Sequence, residues 1–216
     1  MKLYYYDHCP FCVRALMAAN YKQVNIEKII LLNDDEETCI RLVGAKQVPI
    51  LEFDDGTAMP ESLDIAQKFD EIGNKDKIIY PKTDTSKLIN DHIATVKSAI
   101  SSLLYPRNIK LGLPEYATKE AIAYFKEKKE KTLGKTFEQA WEETASHKSN
   151  VEEMLKSLLP LPNILDNAIS WDDILIFPTL RNLTMVKDLK FPQPVKNYID
   201  RISEISMVST YEKIAI

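Results

Sequence analysis

Two thiols one helical turn apart, in Cys9-Pro10-Phe11-Cys12, are the residues of this chain best suited to chemistry. They follow a short apolar run, Leu3-Tyr4-Tyr5-Tyr6, and open a segment that carries Val13, Leu16, Met17 and Asn20 along one helical stripe. A Cys-x-x-Cys pair between a strand and a helix reads as a redox dithiol. Pro10 suits the first helical position, where its missing N–H costs nothing and its fixed φ is already helical. Cys9 then lies beside the unpaired N–H groups and the positive end of the helix, which favour a thiolate. At an ordinary pKa of about 8.5, only about 3% of a thiol is ionised at about pH 7. Lowering the pKa to roughly 5 takes about 4.8 kcal/mol. One helix dipole supplies too little, so His8, Arg14 and local hydrogen bonds have to contribute. Cys12, one turn further in, is better shielded and acts as the resolving thiol.

Two other uses of paired cysteines fit poorly. A structural zinc site needs four ligands, and the only other cysteine is Cys39, while His8, His92 and His147 show no metal spacing. No metal is therefore expected. A structural disulfide across so short a loop constrains the unfolded chain little. Cys39 falls in a short helix and reads as a small buried hydrophobe.

Two more groups of residues bear on a ligand. Val48-Pro49 heads an apolar strand, where proline cannot donate to a ladder. Either the bond is cis and turns the residue-48 backbone N–H and C=O towards a ligand, or it is an ordinary trans proline at a strand edge. Met59-Pro60-Glu61-Ser62 stands at a helix start. There, free N–H groups and the Ser62 hydroxyl can bind a carboxylate while Glu61 meets an ammonium group, as on an amino-acid end. Simple capping by Ser62 with a dipole-favoured Glu61 is the other reading.

The elements that would position these residues change character along the chain. Up to Asp70, strands are expected at Leu3–Tyr6, Ile26–Leu32, from Val48, and near Ala58-Met59, the last two joined by a two-residue Asp55-Gly56 hairpin. Helices are expected over 11–20, over 37–43 capped by Asn33-Asp34-Asp35 and closed by Gly44, and from Glu61 to Gly73-Asn74. That order, βαβαββα, is a thioredoxin-like α/β arrangement covering residues 1–72. Residues 73–85, with Gly73, Asn74 and Pro81, read as a linker. Residues 86–216 read as all-helical. One face there runs through Ile89, Ile93, Val96, Ile100 and Leu103 to a stop at Pro106. Further helices are expected at 115–131, 137–158 and 193–205, and one starts after the capping-box-like Ser170-Trp171-Asp172-Asp173 and is bent by Pro178.

Composition excludes several classes. Among 216 residues, 45% are hydrophobic, enough for a core, yet no apolar run is long enough to span a membrane. Asp7 and His8 come too early for a signal peptide, and three cysteines are no secreted disulfide framework, so a reducing cytoplasm is expected. With 28 basic and 32 acidic residues, net charge −4, nothing draws nucleic acid to the protein as a whole. The mixed run Lys126-Glu127-Lys128-Lys129-Glu130-Lys131 reads as the solvated face of a helix.

Taken in order, Cys9-Pro10-Phe11-Cys12, Gln47-Val48-Pro49-Ile50-Leu51 and Pro60-Glu61-Ser62 resemble the N-terminal domain of glutaredoxins and glutathione transferases. With the helical second part, and with Leu31-Leu32-Asn33-Asp34-Asp35 and Phe177-Pro178-Thr179-Leu180-Arg181-Asn182-Leu183-Thr184, the whole chain resembles the bacterial glutaredoxin 2 type, a glutaredoxin on the glutathione-transferase fold. The resemblance implies a cis Val48–Pro49 bond, reduction of disulfides and of protein–glutathione mixed disulfides, and glutathione as co-substrate with no permanently bound cofactor. It implies a glutathione site of Cys9, Pro10, Phe11, Val48, Pro49, Glu61 and Ser62, with the γ-glutamyl end at Glu61-Ser62. It also implies disulfide-containing or glutathionylated protein partners and a monomer. Phe11 departs from the tyrosine of many glutaredoxins, keeping the aromatic wall without its hydroxyl. The rivals are a cysteine-type glutathione transferase or dehydroascorbate reductase, against which Cys12 argues, and a non-catalytic binding module, which has no use for an ionised thiol.

Overall fold

Alternation along the first strand decides how the N-terminal half is built. In β1 (Lys2–Tyr5) Leu3 turns to one face of the sheet, while Tyr4, like Tyr6 just beyond, turns to the other. Helices must therefore cover both faces. The computed structural model of the chain describes residues 1–158, 160–162 and 167–216 and shows this arrangement. The sheet order is β2 (Glu27–Ile30), β1, β3 (Ile50–Glu52), β4 (Ala58–Met59). β1 pairs parallel with β2 and antiparallel with β3, and β3 pairs antiparallel with β4. On the Leu3 face lie α1 (Pro10–Tyr21) and α3 (Ser62–Ile72), which pack against each other. On the other face, α2 (Glu36–Val43) buries Cys39 against Tyr4, Tyr6, Leu31 and Ile50.

Local signals explain the boundaries. The Asp35 carboxylate accepts from the Thr38 N–H at 2.9 Å, and Gly44 closes α2 at φ 75°. The hairpin loop has three residues, Asp54-Asp55-Gly56, and not two. The Phe53 N–H bonds the Thr57 carbonyl and Gly56 sits at φ 83°, so Gly56 supplies the left-handed residue of a bulged turn. β3 begins at Ile50, two residues later than the apolar run suggests, because Pro49 has no N–H to give the ladder.

The stretch expected to be a plain linker holds β5 (Ile79–Tyr80), which pairs parallel with β6 (Ile169–Ser170). Two short strands from distant segments carry too little pattern to be read in sequence. Beyond them come α4 (Thr85–Thr95) and α5 (Lys97–Asn108), where one continuous face was expected. The chain breaks at Val96, whose ψ is 21°, and Pro106 lies inside α5 instead of stopping it. A 3₁₀ turn (Pro114–Tyr116) precedes α6 (Lys119–Leu133), and Glu143 divides the expected long helix into α7 (Phe137–Glu142) and α8 (Thr144–Lys156). The Ser170–Asp173 capping box forms at the head of α9 (Trp171–Leu183), which keeps Pro178 within it, and α10 (Gln193–Ser206) follows. The tail after α10 is tied down, with Ile216 exchanging backbone hydrogen bonds with Met185 and Lys187. One apolar core runs from Leu3, Met17 and Phe69 through Leu103 and Leu155 to Phe177 and Ile199, joining both halves.

Candidate active site

Cys9 is the N-cap of α1 and Pro10 its first residue, so the thiol stands at the open end of the helix with no side chain capping it. Cys12 is wholly buried one turn below, and its Sγ accepts from the Tyr6 N–H at 3.5 Å. All three cysteines are free thiols. The two thiols of the motif are pushed in opposite directions. Cys9 is lowered to about 7, above all by the hydrogen bond that the Cys12 thiol donates to it, with His8 and the N–H groups of Cys12 and Phe11 helping against the cost of burial. Cys12 is raised well above the ordinary thiol range, first by burial and then by the thiolate it serves. Burial also pushes the Cys39 thiol up, as suits a core residue.

The loop ahead of Cys9 is held from the helical half. The wholly buried Glu115 accepts, through Oε1, from the His8 N–H at 2.9 Å and meets His8 Nδ1 at 2.6 Å. The His8 ring is packed by Tyr6, Tyr116 and Phe125, with centroids 5.2–5.7 Å away. From α9, Arg181 donates to the Asp7 carbonyl at 2.7 Å and pairs with the Asp7 carboxylate at 3.1 Å, while Asn182 donates to the His8 carbonyl at 2.7 Å. Tyr211 completes the clamp, its hydroxyl donating to Asp7 Oδ2 at 2.6 Å. Sequence reasoning named none of these four holders, Glu115, Arg181, Asn182 and Tyr211, as site residues. Arg181 and Asn182 had a visible signal, being polar and adjacent near the end of α9, where residues 174–183 are otherwise apolar but for Thr179; Glu115 had none.

Cys9 opens on a cavity of about 760 Å³ between the two halves. Pro10, Phe11 and Val48 line it together with Cys9, whereas Pro49, Glu61 and Ser62 are not on its wall. Phe11 stands half out into solvent with the Arg14 guanidinium 4.8 Å from its ring centre. The Val48–Pro49 bond is cis. Glu61 adopts φ 73°, a conformation that side-chain-bearing residues rarely take and that is found at ligand clamps. Glu61 is the N-cap of α3 and Ser62 begins the helix buried, and no side chain makes a capping hydrogen bond there. Among the described residues no cluster of histidine, cysteine and carboxylates could hold a metal, and no helix is long and apolar enough to cross a membrane.

A dithiol at a helix N-terminus, opening on a cleft between a thioredoxin-like half and a helical half, defines a thiol–disulfide oxidoreductase on the glutathione-transferase fold. Comparison with known proteins agrees. Residues 3–76 match the family model of the glutathione S-transferase N-terminal domain, and residues 88–215 that of the glutaredoxin 2 C-terminal domain. Glutaredoxin 2 of Escherichia coli strain K12 is 37% identical over 219 residues, covering all of both chains. A crystal structure of glutaredoxin 2 from Salmonella typhimurium, in complex with glutathione, superposes with a TM-score of 0.88 at 34% identity, covering 100% of this chain and 98% of that one. The glutathione transferase GSTFuA2 of Phanerochaete chrysosporium shares the fold alone, with a TM-score of 0.62 at 14% identity over 96% of this chain and 98% of that one. The chain belongs to the glutaredoxin 2 family and is a glutathione-dependent thiol–disulfide oxidoreductase.

Proposed function

We propose that Cys9 is the nucleophile of this oxidoreductase and Cys12 its resolving thiol, with glutathione as co-substrate. The supporting observation is the split between them: Cys9 opens on the cavity with its thiol lowered to about 7, and Cys12 is buried with its thiol raised. The Cys9 thiolate attacks the glutathione sulfur of a protein–glutathione mixed disulfide. A new S–S bond forms on Cys9, and the protein thiolate leaves and takes up a proton. A second glutathione thiolate then attacks the glutathione sulfur on Cys9, releasing glutathione disulfide and restoring the Cys9 thiolate. With a protein disulfide, the mixed disulfide on Cys9 is instead attacked by Cys12. Its proton passes to the leaving thiolate, and two glutathiones reduce the resulting internal disulfide.

In this reading Pro10, Phe11 and Pro49 frame the bound glutathione, the Val48 backbone pairs with its cysteinyl unit, and Ser62 and Glu61 hold its γ-glutamyl end. Sulfur carries the electrons, so the exchange needs no metal or prosthetic group. The partners are disulfide-containing or glutathionylated proteins. A monomer in a reducing cytoplasm is the corresponding assignment, supported by three free thiols and by the family resemblance. Reduction of a glutathione mixed disulfide tests the roles: Cys9→Ser abolishes it, and Cys12→Ser leaves much of it. Equal loss in both variants would overturn the division of labour. Ser62→Ala should raise the Michaelis constant for glutathione, and an unchanged constant would remove Ser62 from the site.

A further inference from the structure

The cavity in front of Cys9 is electrostatically one-sided. Arg14, Lys46, Lys97, Lys128 and Lys129 line it, and no aspartate or glutamate side chain does. This occurs in a chain whose net charge is −4. Some of that charge is already engaged. Lys46 donates to the Tyr6 hydroxyl at 2.6 Å and to the Asp35 carbonyl at 2.8 Å, and Lys128 pairs with Glu36 at 3.1 Å. Lys97 and Lys129 have no carboxylate partner among the described residues, and Lys129 lies over the rings of Tyr105 and Phe125. Both belong to the helical wall, from α5 and α6, opposite the Val48 side to which glutathione is assigned. Deeper on the same wall Asn108, 4% exposed, has a carbonyl oxygen without a hydrogen-bond partner, as does Asn182 at 5%. Buried acceptors of this kind need a donor, and a peptide N–H is one.

A cleft of one charge sign with low-dielectric walls concentrates ligands of the opposite sign. We propose that this wall selects the protein half of the mixed disulfide, and that it takes a polypeptide segment carrying aspartate or glutamate beside the glutathionylated cysteine. Lys97 and Lys129 receive the carboxylates, and the unpartnered oxygens of Asn108 and Asn182 accept backbone N–H groups. This rests on the assignment of Cys9 as the nucleophile and adds a substrate class to it.

The test uses three glutathionylated peptides of equal length whose cysteine is flanked by aspartates, by serines or by lysines. At low ionic strength the aspartate peptide should exceed the lysine peptide in kcat/KM by about tenfold or more, and added salt should shrink the ratio. Lys97→Glu together with Lys129→Glu should bring the ratio to one or below. Because the ratio is taken within one preparation, partial loss of folded protein does not affect it. Equal kcat/KM for the aspartate and lysine peptides in the wild type, with the serine peptide turned over, would overturn the charge selection and leave Cys9 in place. A ratio unmoved by the double variant would overturn the assignment to Lys97 and Lys129. Failure to reduce any of the three peptides would overturn the Cys9 assignment and this inference with it.

Discussion

The Cys12 thiol should govern Cys9 before any resolving step takes place. Its hydrogen bond is the largest influence holding the Cys9 thiol at about 7. Hydrogen bonds to charged groups are worth about 1.5–3 kcal/mol net, and S–H is a weak donor, so the lower end applies. At 1.36 kcal/mol per unit, that is about one pKa unit. Cys12→Ala should therefore move Cys9 from about 7 to about 8, while Cys12→Ser keeps a hydroxyl donor and should stay near the wild type. At about pH 7 the thiolate fraction of Cys12→Ala falls from about one half to about one tenth.

Rate alone would understate this effect. A thiolate of higher pKa is the better nucleophile, by about threefold per unit at a Brønsted slope of 0.4–0.5. Single-turnover attack on a small neutral disulfide should thus be about twofold slower in Cys12→Ala at about pH 7 and about twofold faster at about pH 8.5. In every variant the rate falls as pH drops through the Cys9 pKa, because the thiolate is the reactive form. The profiles must then cross between about pH 7 and pH 8, with ultraviolet titration of the thiolate giving the pKa directly. Coincident titrations of wild type and Cys12→Ala, with profiles that never cross, would refute the reasoning and leave His8 and the helix N–H groups as the cause.

Three further changes probe what holds the site. Glu115→Ala strands the His8 N–H in a buried setting, and should cost about 1–3 kcal/mol in urea unfolding; Glu115→Gln, which keeps an acceptor oxygen, should cost less. Arg181→Met leaves Asp7 without its cation and frees the loop ahead of Cys9. It should lower stability by about 3 kcal/mol and slow single-turnover attack with little change in the Cys9 titration; a stable variant with wild-type rates would show that the clamp is dispensable. At Gly73 an added Cβ would meet the Lys22 and Phe69 carbonyl oxygens at 2.7 and 2.8 Å, both backbone atoms at the junction of α1 and α3. Gly73→Ala should accordingly cost about 1–3 kcal/mol in thermal unfolding.

The sequence made the local parts of this molecule legible. Cys9-Pro10-Phe11-Cys12 announces a helix start because proline and the cysteine spacing act within one turn, and Asp35, Gly44 and Ser170 mark their helix ends for the same reason. What stayed hidden depends on residues far apart in the chain. Neither β5 nor β6 is a strand without the other, since each has two residues and its partner lies about ninety positions away. The break at Val96 and the survival of Pro106 and Pro178 inside helices are decided by packing in the shared core, which overrides the propensity of a single residue. The lowered Cys9 pKa was expected from the helix end, His8, Arg14 and local hydrogen bonds, and the first of its causes is one such bond, from the partner thiol, whose place depends on the Tyr6 N–H and the core that fix Cys12 beneath it.

The helical half has a chemical reason to be there. A dithiol at a helix end needs its preceding loop immobile, because that loop carries His8 and sets the direction of the Cys9 thiol. Here Arg181 and Asn182 of α9 and Tyr211 of the C-terminal segment donate to Asp7 and His8, and Glu115 accepts from the His8 N–H, all from more than one hundred positions away. Of these elements α9 also lines the cavity, through Thr179 and Asn182, and the Asn182 nitrogen holds the His8 carbonyl while its oxygen stays unpartnered. Holding the loop ahead of Cys9 and lining the cavity on which Cys9 opens are therefore tasks that α9 combines. A substitution that shifts α9 must change both, which separates it from Lys97→Glu or Lys129→Glu, where the cavity wall changes and the hydrogen bonds to Asp7 and His8 stay.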